Sequence, residues 1–210
     1  MPRDQELFEA ICRGDRDRCR ERVQIAIAAD SDIIGLLNES MIPAMREMGR
    51  RFACNEVYVP DMLLAARAMQ AALDLVEPIL AAAGHRARGR VCIGTVKGDL
   101  HDIGKNLVGM MLKGAGYEVV DLGVNCDVSK FERAVGEGAQ AVLCSALLTT
   151  TMPYMQTVVE HFRHRPDVGV VVGGAPVSRE YAEAIGASGF GTDANEAVKV
   201  VDGFFGQATD

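Results

Sequence analysis

The sequence predicts an α/β protein in two parts, a helical bundle followed by a doubly wound parallel sheet. Three observations carry this. Residues 4–83 keep a helical apolar period, the period changes after a short basic segment, and from there β-rich apolar runs alternate with amphipathic helices. In the first part Ile33, Leu37, Met41, Met45 and Met48 mark one face, and Met62, Ala66, Met69, Leu73 and Val76 mark another. Four or five short helices are expected there. Pro60 suits the first turn of a helix, because that turn has no use for its missing N–H; Pro43 marks a break, a kink or a new start. Methionine is common on both faces and reads first as core, since flexible thioethers fill irregular gaps.

The run from Ala83 to Arg90 is glycine-punctuated and basic, which predicts a helical domain at 1–84, a linker at 85–90 and a sheet domain at 91–210. Within the last, strands are expected at Val91 to Val96, Glu118 to Leu122, Ala141 to Ser145 and Val168 to Val172, with a brief extended piece near Gly189. Helices are expected at Gly104 to Lys113, Ser129 to Glu137, Pro153 to Phe162, Ser178 to Ala184 and Ala194 to Phe204. Short apolar strands separated by helices form parallel sheets covered on both faces, and such sheets bind ligands beyond the carboxyl ends of their strands.

Composition narrows the classes of function. Lys+Arg of 22 against Asp+Glu of 29 gives a net charge of −7, which opposes non-specific binding to nucleic acid or an anionic membrane. The amino terminus is charged from its third residue and has no signal-peptide core, and no apolar run reaches membrane-spanning length. The six cysteines, at 12, 19, 54, 92, 126 and 144, show no zinc-ribbon spacing and read as reduced thiols of a cytoplasmic protein.

The segment GDLHDIGKN, Gly98 to Asn106, lies where the first strand gives way to a helix. It is not a phosphate loop: five residues separate Gly98 from Gly104, Asn106 follows Lys105 where Ser or Thr is required, and Asp99 and Asp102 would repel an anion. Elsewhere, His85 reads as a surface or half-buried linker residue, and His161 and His164 as a solvated helix face. His101 differs in its company. Asp99, two residues earlier, can accept a proton from one ring nitrogen while the other faces a metal. Gly104 removes a side chain where something large must approach. With no other local ligand, the remaining ligands are expected from a cofactor, and a macrocycle with one open axial position meets that need.

Asp99, His101 and Gly104 as D-x-H-x-x-G, Ser145 and Leu147 as S-x-L, and the pair Gly173 and Gly174 together resemble the methyltransferase-associated corrinoid (cobalamin-binding) proteins. These include methylamine, methanol and O-demethylase corrinoid proteins and the cobalamin-binding region of methionine synthase. The resemblance extends to the helical half through GRRFACNEVYVP, Gly49 to Pro60. It implies a helical cap on a Rossmann-like (flavodoxin-like) domain that holds cobalamin or a related corrinoid, cycling between methylcobalamin and cob(I)alamin.

In such proteins the corrinoid's own base leaves cobalt and a protein histidine replaces it. The resemblance gives His101 that place and Asp99 the task of orienting it, with Thr151 standing where some relatives carry a proton-relaying serine. It further implies cofactor contacts from Asp102, Ile103, Gly104, Ser145, Leu147, Thr149, Gly173, Gly174 and Ala194, and from Phe52 and Val59 on the upper cobalt face. The implied function is a methyl carrier of one-carbon metabolism with little turnover alone. It would move between a substrate-specific methyltransferase and an acceptor methyltransferase, serving tetrahydrofolate or a thiol, with a reductive activator as third partner and neither nucleic acid nor membrane involved. The competing reading is a cobalamin-binding sensor that switches a partner.

Overall fold

The structure, a computed structural model, describes residues 3–83 and 87–206. His85, within the expected linker, lies outside the described residues, as does Arg86. The chain divides into two compact units, Met1–Ala87 with Lys113–Gly116, and Arg88–Leu112 with Tyr117–Asp210.

The first unit contains α1 (Gln5–Arg13), α2 (Arg16–Ala28), α3 (Ile33–Leu36), α4 (Ile42–Ala53) and α5 (Val59–Ala82). Aspartates start the first three. Asp4, Asp15 and Asp32 each accept a backbone N–H three residues on, from Leu7, Arg18 and Gly35, satisfying donors that the helix itself cannot. The two apolar faces read from the sequence converge on one core: Met41, Met48, Met62, Met69 and Val76 are all at most 1% exposed. Pro60 occupies the first turn of α5, and Pro43, one of whose expected readings is a new start, likewise stands at the start of a helix without interrupting the helical run. A π-helical stretch at Leu37–Met41 joins α3 to α4, and Pro43 falls in the first turn of α4. The wider π turn takes up the hydrogen-bonding mismatch that a proline imposes. Helix α5 runs on past Pro78 close to its end.

The second unit is a five-stranded parallel sheet in the order β2-β1-β3-β4-β5, its strands being β1 (Arg90–Thr95), β2 (Glu118–Asp121), β3 (Ala141–Ser145), β4 (Gly169–Gly173) and β5 (Gly189–Gly191). Helices α6 (Ile103–Gly114), α7 (Val128–Gly136), α8 (Pro153–Phe162), α9 (Arg179–Ile185) and α10 (Ala194–Gly206) connect and follow them. Covered on both faces, β1 and β3 are apolar nearly throughout, as Val91, Cys92, Val142, Leu143 and Cys144 illustrate at 4% exposure or less. The first strand ends at Thr95, one residue short of the expected Val96, which instead makes an isolated parallel bridge with Cys126.

From β1 the chain turns toward β2 and from β3 toward β4, so these adjacent strands send their outgoing loops in opposite directions. The crevice left between the loops is the topological switch point at which open α/β sheets bind ligands. The loops in question are 96–102 and 146–152. Among the described residues, no helix is long and apolar enough to cross a membrane, and all six cysteines carry free thiols.

Candidate functional site

The loop after β1 is stapled before it reaches its histidine. Gly98, at φ +87, donates its N–H to Asn125 Oδ1 at 2.8 Å, and Asn125 returns its own N–H to the Asp99 carbonyl at 3.0 Å. A left-handed turn of this kind favours glycine because no Cβ meets the backbone. The result drives the Asp99 side chain inward, to 0% exposure, while His101 keeps half of its side chain in the open.

Both carboxyl oxygens of Asp99 are engaged. Oδ1 meets the His101 ring at Nδ1, 2.7 Å away, and accepts the His101 backbone N–H at 3.0 Å. Oδ2 accepts the N–H groups of Leu147 at 2.8 Å and Leu148 at 3.2 Å and the Thr151 hydroxyl at 2.8 Å. Burial alone would push this carboxyl up, but the bonds from the Leu147 and His101 amides, the His101 ring and Thr151 outweigh it and hold the group far below the usual carboxylate range. Asp99 is therefore a fixed anion. With Nδ1 donating to that anion, Nε2 is left as the ring's lone-pair nitrogen, and among the described residues nothing hydrogen-bonds to it.

Both loops carry exposed aliphatic side chains. Leu100 and Ile103, on either side of His101, are 71% and 72% exposed, and Leu147 and Leu148 on the facing loop are 45% and 42% exposed. Large aliphatic side chains are rarely left in water together without a partner for them. At Gly104 a Cβ would meet nothing within 4 Å, so no protein neighbour requires the glycine. Gly174 has a different cause. It sits at φ +131, and a Cβ there would lie 1.9 Å from the Ala146 carbonyl oxygen, so glycine alone lets the loop after β4 pass the loop after β3. Among the described residues, no cluster of three or more His, Cys, Asp or Glu side chains could hold a metal ion. One imidazole with an open face can supply one ligand to a metal whose other ligands arrive with it.

The sequence-predicted residues other than Gly104 and Gly174 divide into four groups. Asp99, His101, Leu147 and Thr151 are joined directly by the bonds above. Ser145 ends β3 in register with Thr95 and with Gly173, which ends β4, and Thr149 lies exposed in the turn after β3. Asp102 and Ile103 lead into α6, and Ala194 is the buried first residue of α10. Phe52, in the last turn of α4, and Val59, at the start of α5, lie in the helical unit. His161, read as a solvated residue, sits 3.7 Å from Glu132 and edge-on to Phe162.

Two residues of this region were passed over in the sequence. Thr95 is fully buried at the end of β1, and its hydroxyl donates to the His101 carbonyl at 2.7 Å. Lys105, only 2% exposed, places its ammonium 2.7 Å from both Asp121 oxygens. A lysine in the first turn of a helix, where the dipole disfavours a cation, is a weak sequence signal for a nearby carboxylate.

Known proteins match this arrangement along most of the chain. A family profile described as a B12 binding domain matches residues 89–199, and a second of the same description matches residues 4–77. A corrinoid protein of Desulfitobacterium hafniense (strain Y51) is 35% identical over 209 residues, covering 96% of this chain and 97% of its own. A trimethylamine corrinoid protein of Methanosarcina barkeri is 37% identical over 199 residues, 92% of each chain. The solved methanol:cobalamin methyltransferase complex of Methanosarcina barkeri superimposes with a TM-score of 0.85 at 28% identity, covering 98% of this chain and 80% of the matched one. The His101 loop and its open crevice thus have a family: the chain belongs to the B12-binding corrinoid proteins of methyltransferase systems, and its cofactor is a corrinoid.

Proposed function

We propose that the protein is a methyl carrier of one-carbon metabolism, loaded by a substrate-specific methyltransferase and unloaded by an acceptor methyltransferase that serves tetrahydrofolate or a thiol. A reductive activator completes the system. Relatives named for trimethylamine, together with the methanol:cobalamin methyltransferase complex, support a small methylated donor selected by the loading partner. One observation carries the reading: a half-exposed imidazole whose Nδ1 is committed to a buried carboxylate, on a loop that also carries the exposed Leu100 and leads to the exposed Ile103.

When bound, the corrinoid supplies a cobalt centre that takes up and gives away a methyl group. The chain's residues do the rest. His101 would offer Nε2 to the cobalt, with Asp99 fixing the ring's tautomer and making the imidazole a stronger donor. Thr151 donates a hydroxyl to Asp99 and joins it to the loop after β3. The Asp99 anion would hold the imidazole by Nδ1 whether or not Nε2 is coordinated. Asp102, Ile103, Gly104, Ser145, Leu147, Thr149, Gly173, Gly174 and Ala194 are assigned to the corrinoid and its nucleotide tail. The role of Phe52 and Val59 as cover for the upper cobalt face is part of the same proposal.

The test is reconstitution with hydroxocobalamin followed by gel filtration and a visible spectrum, then methylation and incubation with the acceptor enzyme. A red protein that accepts and donates methyl without any adenosyl group fits the carrier. Loss of the chromophore on the column, or a corrinoid that stays bound yet donates methyl to no acceptor, would count against it.

A further inference from the structure

His101 is held from two sides, and only one of them is Asp99. The second is a closed ring of hydrogen bonds that begins and ends at Thr95. The Thr95 N–H donates to the Gly123 carbonyl at 3.0 Å, and the Gly123 N–H donates to Asp121 Oδ1 at 2.9 Å. Both Asp121 oxygens accept from Lys105 Nζ at 2.7 Å, and Nζ also donates to Asn106 Oδ1 at 2.6 Å. Asn106 in turn donates its backbone N–H to the Asp102 carbonyl at 2.7 Å and its side-chain amide to Asp102 Oδ2 at 3.0 Å. Asp102 follows His101, whose carbonyl accepts the Thr95 hydroxyl at 2.7 Å and closes the circuit.

Lys105 is the costly member. Its ammonium is buried while the Asp121 carboxylate stays half exposed, and it sits at the positive end of α6, so both desolvation and the helix dipole oppose it. A methionine in its place would pack with neither cost. What the lysine supplies is three N–H donors on three acceptor oxygens, and so a fixed join between the first turn of α6 and the end of β2.

Resting on the functional reading above, we infer that Lys105 and Asp121 are positioning residues for the cobalt ligand: the ion pair of the buried Lys105 with the half-exposed Asp121 sets the backbone of the Asp99–Asp102 loop so that His101 Nε2 meets cobalt. Neither residue touches the ring. They act through the main chain of Asp102 and His101, while Asp99 acts on the imidazole itself. A site that must present one nitrogen to a metal needs the backbone fixed as well as the ring, because a small displacement of the loop lengthens the bond however well the ring is turned.

The test uses the full chain, wild type beside Lys105→Met and Asp121→Asn, each reconstituted with hydroxocobalamin. Bound corrinoid per protein reports retention, and the visible bands across a pH series report the fraction ligated by imidazole. Expected is corrinoid retention within about twofold of wild type but a ligation constant weaker by roughly ten- to a hundredfold, the range typical when supporting contacts around a metal ligand are removed. A purely structural role would lower retention or thermal stability and leave the ligated fraction of the bound cofactor unchanged, and that result overturns the inference. If Lys105→Met fails to fold, Asp121→Asn, which keeps one acceptor for the ammonium, decides by the same reading. A wild-type protein that binds no corrinoid sinks the functional reading instead, and this inference with it.

Discussion

Asp99 Oδ1 lies 2.7 Å from His101 Nδ1, while Oδ2 of the same carboxylate, 2.8 Å from Leu147 N, anchors the loop that follows β3. One buried anion thus joins the two loops that flank the switch point of the sheet. Its position makes it answerable for both ring orientation and local stability, and the two can be measured separately.

The first consequence concerns acid. Asp99 titrates below its ordinary value of 3.8: burial acts to raise it, but the amides of Leu147 and His101, the His101 ring and the Thr151 hydroxyl together lower it by more. A carboxyl depressed in the folded state stabilises fully above about pH 4 and loses that contribution as pH falls through the folded value. Urea unfolding of the protein without cofactor between pH 7 and pH 2 should therefore show Asp99→Asn destabilised by ~2–4 kcal/mol at pH 7, since buried donors lose a charged acceptor. The variant should also lose less stability than wild type over the acid range. Equal acid sensitivity of the two proteins would refute the assignment of a fixed anion.

Thr151 separates hydroxyl from methyl. Thr151→Val removes the donor at 2.8 Å from Asp99 and should cost ~1–2 kcal/mol, whereas Thr151→Ser keeps the donor and should lie much nearer wild type. Thermal melts of the three proteins check the order, and a valine variant as stable as serine would show that the hydroxyl carries no weight.

Much of the fold was legible because it is local. The apolar runs from Val91 and Ala141, the helical faces of Met41 and Met62 and the Asp99-x-His101 spacing are properties of neighbours in the chain. What escaped depends on residues far apart. The grip of Leu147, Leu148 and Thr151 on Asp99 spans 48 to 52 residues, and Lys105 finds Asp121 sixteen residues on, so no window of periodicity includes both partners. At Pro43 the sequence left a break, a kink or a new start open; the structure has the new start, and what the pattern did not announce is the π-helical stretch Leu37–Met41 that leads into it.

Two glycines should fail differently. Gly174→Ala places a Cβ 1.9 Å from the Ala146 oxygen in a left-handed conformation, and should destabilise the apoprotein by at least ~2 kcal/mol. Gly104→Ala meets nothing within 4 Å, so the apoprotein should be as stable as wild type or firmer by up to ~1 kcal/mol from helix propensity. Corrinoid retention should nevertheless fall in Gly104→Ala if that space belongs to the cofactor. Unimpaired retention would place the cofactor elsewhere.

His101→Ala should leave the apoprotein within ~1 kcal/mol of wild type, because the ring is half exposed and its loop is held by Thr95, Asp99 and Asn125. Some corrinoid should remain bound through its tail, without the spectrum of imidazole-ligated cobalt.

The bond at the centre of this account is best examined by electron paramagnetic resonance of the cobalt(II) state, with 15N-labelled protein and unlabelled corrinoid. Ligation by His101 gives each cobalt line a two-line splitting from the labelled nitrogen in place of the three-line splitting seen with unlabelled protein. Three-line splitting that persists in the labelled sample would mean that the corrinoid keeps its own base on cobalt, and His101 would not be the ligand.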